Sequence, residues 1–163
     1  MTIRHARPED APALAAIYAP AVLTGTASFE IEAPDAAEMA ARLARVQGRG
    51  HPWLVHETMG RIDGYAYAQQ FRDRAAYAHT AETSIYVAPD AQRSGVGRAL
   101  LMALEDAARA AGFTELVAVI GDAGNTASLA LHRAAGYTHV GQLKGVGRKF
   151  GRRLDVVYMQ KSL

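Results

Sequence analysis

The strongest constraint in this chain is a change of hydrophobic period around two glycines. Ile85 and Val87 alternate with Ser84 and Tyr86 as in a pleated strand, Pro89-Asp90 ends the alternation, and Val96, Leu100, Leu104, Ala107 and Ala111 then recur three or four apart. A strand therefore runs into a long helix, which Gly112 is suited to close. Between them, Gln92-Arg93-Ser94-Gly95-Val96-Gly97 leaves side chains missing where the loop enters the first helical turn. N–H groups at a helix start carry partial positive charge, and glycine lets a ligand approach them closely. The stretch is thus either a tight strand-to-helix turn or a seat for a phosphate or pyrophosphate, with Arg93 and Arg98 adding charge. Two common phosphate loops are excluded. Gly97 is followed by Arg98-Ala99 where a P-loop needs lysine and a hydroxyl residue, and Leu100 stands where a dinucleotide fingerprint has its third glycine.

With 163 residues, half of them hydrophobic, the chain is expected to form one domain over residues 1–163 with a core that needs no disulfide or metal. The absence of cysteine excludes a disulfide framework, a thiolate metal site and a cysteine nucleophile, and suits a reducing cytoplasm. The six histidines show no metal-ligand spacing, so no metal is expected. No apolar run approaches membrane length and the first residues lack a signal-peptide core, so a soluble cytoplasmic protein without a membrane partner is expected. A net charge of +2 is too small to imply nucleic-acid binding by itself.

Taken in order, Thr2 to Arg7 reads as a first strand, and Leu14, Ile17 and Tyr18 mark a helix that Pro20 stops or bends. Thr24 to Glu30 is loop-like, with Phe29 either plugging the core edge or walling a substrate. Asp35 with Glu38 opens a second helix carrying Met39, Leu43 and Val46. Trp53 to Glu57 and Tyr65 to Gln69 read as a hairpin, with Met59-Gly60 and Asp63-Gly64 between them. A strand from Glu82 to Val87 follows. The unbroken apolar run Leu116 to Ile120 suits a strand covered on both faces. Asn125 caps a short helix ending at Gly136, and Tyr137 to Val140 pairs with Leu154 to Met159. The basic residues between those two strands, Lys144, Arg148, Lys149, Arg152 and Arg153, read as a solvated hairpin tip in preference to a nucleic-acid site.

The pattern Gln92-x-x-Gly95-x-Gly97 after a strand resembles the acetyl-coenzyme A pyrophosphate loop of the GNAT N-acetyltransferase superfamily. Asn125, Ser128, Leu131 and Gly136-Tyr137 resemble a second motif of that family, Asn-x-x-Ala-x-x-Leu-Tyr-x-x-x-Gly-Phe, with His132 replacing the usual tyrosine. The element order agrees over nearly the whole chain. Together with Pro52-Trp53-Leu54-Val55, Ala81 to Val87 and Val117 to Gly121, the histidine is similar to the phosphinothricin and methionine sulfoximine acetyltransferase branch. Phe71 to Tyr77 and Gly124-Asn125 look like the methionine sulfoximine type, whereas Arg153 stands where an aromatic is expected.

The resemblance implies an α/β (α+β) fold with a mixed, mostly antiparallel sheet of six to seven strands, flanked by helices and splayed at the acetyl-CoA site. It also implies acetyl-CoA as acetyl donor, a small amino acid as acceptor and a homodimer. Ile85, Tyr86 and Val87 would then pair with pantetheine like an added strand, Gln92, Arg93, Ser94, Gly95, Val96, Gly97 and Arg98 would hold pyrophosphate, and Asn125 and Ser128 would lie by the thioester arm. Glu82 shares a strand face with Ser84 and Tyr86, and is either an exposed strand end or the base that takes the amine proton. His132 is either a packing histidine or a catalytic group at the thioester. Arg72 and Arg74 are either surface charge or a bidentate clamp for an amino-acid carboxylate, with Phe29, Trp53 and Tyr77 as apolar wall. The competing functions are acetylation of a peptide or protein amine, and a non-catalytic CoA-binding or nucleic-acid-binding module.

Overall fold

A computed structural model describes residues 1–163. One seven-stranded sheet runs β1 (Thr2–His5), β2 (Trp53–Thr58), β3 (Arg61–Gln70), β4 (Thr80–Val87), β5 (Glu115–Gly121), β7 (Arg152–Ser162), β6 (Thr138–Lys149) across its width. All neighbours are antiparallel except β4 and β5, which are parallel because α3 (Val96–Ala110) crosses between them. The architecture is the mixed, mostly antiparallel sheet expected from the sequence. α1 (Ala11–Leu23) and α2 (Ala36–Gln47) lie on one face, α3 and α4 (Thr126–Ala134) on the other. Adjacent residues on β4 show the division: the Tyr86 ring meets Tyr18 of α1 at 4.7 Å, while Val87 points toward Gly97 of α3.

The amphipathic stripes bury as their spacing demands. Met39, Leu43 and Val46 are in the core, as are Val96, Leu100, Leu101 and Leu104. Leu116, Ala118 and Ile120 on one face of β5 and Val117 on the other are also buried, as expected for a strand covered on both faces. Asp35 caps α2 by accepting the Glu38 N–H at 2.8 Å.

Three local expectations are corrected. Pro20 does not stop α1: it sits in the last turn, where its carbonyl accepts the N–H groups of Thr24 and Gly25, and the helix ends one turn later. The β2–β3 turn is Met59-Gly60 alone, both at positive φ as a two-residue hairpin requires, and Asp63-Gly64 lies inside β3. A Cβ on Gly64 would come within 2.9 Å of the Tyr86 carbonyl and 3.1 Å of Leu100 and Val96, so this glycine serves the close seating of α3. The last hairpin is far longer than expected. Its turn is Phe150-Gly151, both at positive φ; Arg148, Lys149, Arg152 and Arg153 lie within the paired strands and Lys144 in a break of register between Leu143 and Gly147, with Lys149 buried.

The feature that matters most for function is where the sheet parts. β4 pairs with β5 only from Thr80 to Thr83, against Glu115 to Ala118. Beyond that, Ser84 to Val87 keep their pairing with β3, and Val119 to Gly121 keep theirs with β7, but the two strands no longer pair with each other.

Candidate active site

A cleft of about 640 Å³ opens at this parting. Ser84 to Val87 form one wall, Ala118 to Gly121 the other, and the start of α3 and one side of α4 close its ends. Most of the residues expected at the cofactor meet here: Ile85, Tyr86, Val87, Gln92, Arg93, Gly95, Gly97, Arg98, Asn125 and Ser128 all line the cleft. Ser94 and Val96 do not. The Ser94 hydroxyl turns back to the Ala91 carbonyl at 2.6 Å and the Val96 side chain packs into the core, leaving only their backbone for a ligand.

The glycine loop has the geometry of an anion seat. Gly95 is the N-cap of α3 at φ +92, and no side chain caps the helix. The N–H groups of its first turn precede the helix's own hydrogen-bond ladder and face no protein acceptor. Arg93 also adopts positive φ (60°), a conformation uncommon for a side chain of its size.

α4 is set by Asn125, whose side chain accepts the Ser128 N–H at 3.2 Å. One turn on, His132 Nδ1 lies 2.8 Å from the Ser128 carbonyl. A carbonyl only accepts, so Nδ1 carries the proton and Nε2 of the neutral ring keeps its lone pair. The ring is buried, packs edge-on against Tyr137 at 5.0 Å and lines the cleft. Burial lowers its pKa, more than the Ser128 carbonyl and Glu105 raise it.

Glu82 lies just outside the cleft lining, on the α1 face with Ser84 and Tyr86, so it and His132 approach the parting from opposite faces of the sheet. Its carboxylate is half-buried beside Tyr67. Burial raises its pKa, and the charge of Arg72 opposes that rise. The Arg72 guanidinium stacks on the Phe71 ring at 4.0 Å. Arg72, Arg74 and Tyr77 border a second, shallow depression with Asp73 that shares no lining residue with the main cleft, although the Arg72 charge reaches Glu82 at its edge. Trp53 is fully buried and stacks on Tyr67 at 4.2 Å, which makes it a support beneath the site instead of a wall.

Phe29 belongs to a roof that sequence reasoning left undefined. Gly25 and Ala27 of the α1–α2 connection line the cleft, with Ile17, Pro20 and Ala21 at the end of α1. The roof rests on absent side chains: a Cβ on Gly121 would lie 3.0 Å from the Ala27 carbonyl and 3.1 Å from the Phe29 ring, and one on Gly147 would overlap that ring. Thr26 donates to Asp122 at 2.5 Å, and the hydroxyls of Tyr18 and Ser28 are 2.6 Å apart. No spacing in the sequence announces the contacts of Ala27 and Phe29 with Gly121, of Phe29 with Gly147, or of Thr26 with Asp122, which join residues far apart along the chain.

No group of His, Asp or Glu side chains is arranged to hold a metal, and no helix is long and apolar enough to cross a membrane. The family profile described as "Acetyltransferase (GNAT) domain" matches residues 3–158. A phosphinothricin N-acetyltransferase of Alcaligenes faecalis is 52% identical over 99% of this chain and 82% of its own length. An L-methionine sulfoximine/L-methionine sulfone acetyltransferase of Salmonella typhimurium is 40% identical over 100% of this chain and 95% of its own. Among solved structures, a GNAT superfamily phosphinothricin acetyltransferase from Sinorhizobium meliloti in complex with AcCoA superposes with a TM-score of 0.96 at 43% identity, covering 99% of this chain and 88% of that one. With a parted sheet, an uncapped glycine helix start and these likenesses along its whole length, the chain belongs to the GNAT acetyltransferase family and is an N-acetyltransferase.

Proposed function

We propose that the protein transfers acetyl directly from acetyl-CoA to the α-amine of a small amino acid of the phosphinothricin, methionine sulfoximine or methionine sulfone kind. The observation that carries this reading is the parting of β4 and β5 beside the bare start of α3, with an imidazole lining it and a carboxylate just outside it on the opposite face of the sheet. The chain's own features fit the donor. First-turn N–H groups under Gly95 and Gly97 suit a pyrophosphate, and the free edges of β4 and β5 can hydrogen-bond pantetheine amides as an added strand would. Acetyl-CoA supplies the acetyl group as a thioester.

The other steps fall to this chain's residues. Glu82, with its pKa raised by burial, is suited to take the ammonium proton directly or through a water. A free N–H on β4, at Val87 or beside it, is suited to bond the carbonyl oxygen as it gains charge. His132, neutral with its lone pair on Nε2, is better suited to accept a hydrogen bond or proton than to give one to the departing thiolate. Arg72 and Arg74 would take the acceptor's carboxylate. We further read the enzyme as a cytoplasmic homodimer. The exposed Val140, Leu143 and Val146 on edge strand β6 support this, and sedimentation should give twice 17.4 kDa.

The decisive assay is thiol release from acetyl-CoA with a panel of amino acids and their sulfone, sulfoximine and phosphinate analogues. Turnover of a peptide amine in preference to every free amino acid would overturn the substrate assignment. Arg72→Ala and Arg74→Ala should raise KM for the amino acid by roughly 10–100-fold and leave KM for acetyl-CoA unchanged, since only the acceptor carries the carboxylate. The corresponding amide should be a poor substrate that loses little more in these variants, and equal use of acid and amide would instead favour a peptide or protein acceptor.

A further inference from the structure

The least expected side chain near the cleft is Lys149. It lies in the basic run of the last hairpin, yet it is only 6% exposed, and no carboxylate is paired with it. Its ammonium donates to the Ser28 carbonyl at 2.8 Å and the Ala21 carbonyl at 3.2 Å. Burying a cation is unfavourable unless its donors are satisfied, and here desolvation lowers the lysine's pKa. The one acidic group whose charge opposes this is Glu30, which Arg42 and the Tyr18 hydroxyl already hold.

The two carbonyls explain the placement. Ala21 is in the last turn of α1, where a carbonyl has no partner within the helix and the helix end favours a cation. Ser28 lies within the irregular connection, Thr24 to Asp35, that follows. Lys149 therefore grips the connection on either side of Gly25 and Ala27, which line the cleft. The same strand carries Gly147, on which the Phe29 ring rests. Strand β6 thus both supports the roof and fastens it.

We propose that Lys149 is a positioning residue for the amine acceptor: by pinning the Ala21 and Ser28 carbonyls to β6, it gives the roof one shape over the acceptor end of the cleft. This rests on the reading that the acceptor binds beneath the roof, whereas the donor lies along α3 and β4. Losing the pin should therefore weaken acceptor binding and spare the donor.

The test is Lys149→Met, which keeps the aliphatic stem and removes the donors. Acceptor KM should rise about tenfold while acetyl-CoA KM stays within about twofold, and the stabilisation by acetyl-CoA should persist. An unchanged acceptor KM, or equal rises for both substrates, would overturn the proposal. Should Lys149→Met not fold, Lys149→Arg carries the same kinetics, its longer fork misplacing the contacts without removing the charge. A measurement on the unmutated enzyme stands apart from any substrate. Backbone order parameters over Thr24 to Glu30 should be those of rigid backbone, near ~0.85, and values below ~0.6 there would sink the pin even if amino-acid turnover is found. Conversely, a rigid roof in an enzyme that turns over no amino acid would retire the substrate reading and leave the pin standing.

Discussion

Glu82→Gln is expected to lower turnover by about 10²–10⁴-fold at neutral pH, while acetyl-CoA binds as it does to the unmutated enzyme. An ammonium group has no lone pair with which to attack a thioester, so a base must act on the bound amine. Glu82 is the carboxylate on the parted strand β4. The amide keeps the shape and removes the basicity. Burial disfavours the charged form of Glu82 and raises its pKa, with Arg72 opposing. The base must be ionised to work, so kcat/KM of the unmutated enzyme should fall on the acid side through a pKa above that of an ordinary glutamate. In Glu82→Gln that limb should vanish. Turnover should instead climb with pH until the free amine is itself deprotonated. Were His132 the base, His132→Phe would show that recovery and Glu82→Gln would not. Near-normal turnover of Glu82→Gln at every pH would exclude the role.

Gly95→Val should abolish the gain in thermal stability that acetyl-CoA gives. At a hundredfold excess over Kd a ligand specific for the folded state contributes about 2.7 kcal/mol, or roughly 5–10 °C in Tm for a chain of this size. Gly95 sits at φ +92, where a β-branched residue is strained by about 1–2 kcal/mol, so the variant itself should melt somewhat lower. No protein atom lies within 4 Å of a Cβ built there, so the new side chain leaves the backbone into open space at the helix start, where a pyrophosphate would approach. Unchanged affinity for acetyl-CoA in a folded Gly95→Val protein, measured by calorimetry, would remove the glycine loop from the cofactor site.

What the sequence discloses here is local. The loop from Gln92 to Gly97 is legible because strand, turn and helix period are written in consecutive residues, and the Asn125 cap is legible for the same reason. Glu82 stands out because a carboxylate is unusual in a strand. Lys149 was illegible: its partners lie 121 and 128 positions away, and among neighbouring arginines and glycines it looks like any solvated charge. Gly147 misleads in the same way. Read alone it suggests a loop, and only the tertiary position of Phe29 explains it as a seat inside a strand. Pro20 and Asp63-Gly64 carry strong turn signals that packing overrides, the first because a helix tolerates proline in its final turn when the carbonyls find other donors, the second because α3 presses against β3.

The short pairing between β4 and β5 makes the sheet a pair of leaves on a four-residue spine, Thr80 to Thr83 against Glu115 to Ala118. β1 to β4 form one leaf, β5 to β7 the other. At about 3.3 Å per residue the free margin from Ser84 to Val87 extends roughly 13 Å from that spine. A tilt of only ~5° between the leaves therefore widens the far margin by ~1 Å and leaves the spine's hydrogen bonds almost untouched. Room for an acyl group bulkier than acetyl is thus tied to the stiffness of a spine that carries Glu82 and reaches the cleft only through Thr83 and Ala118.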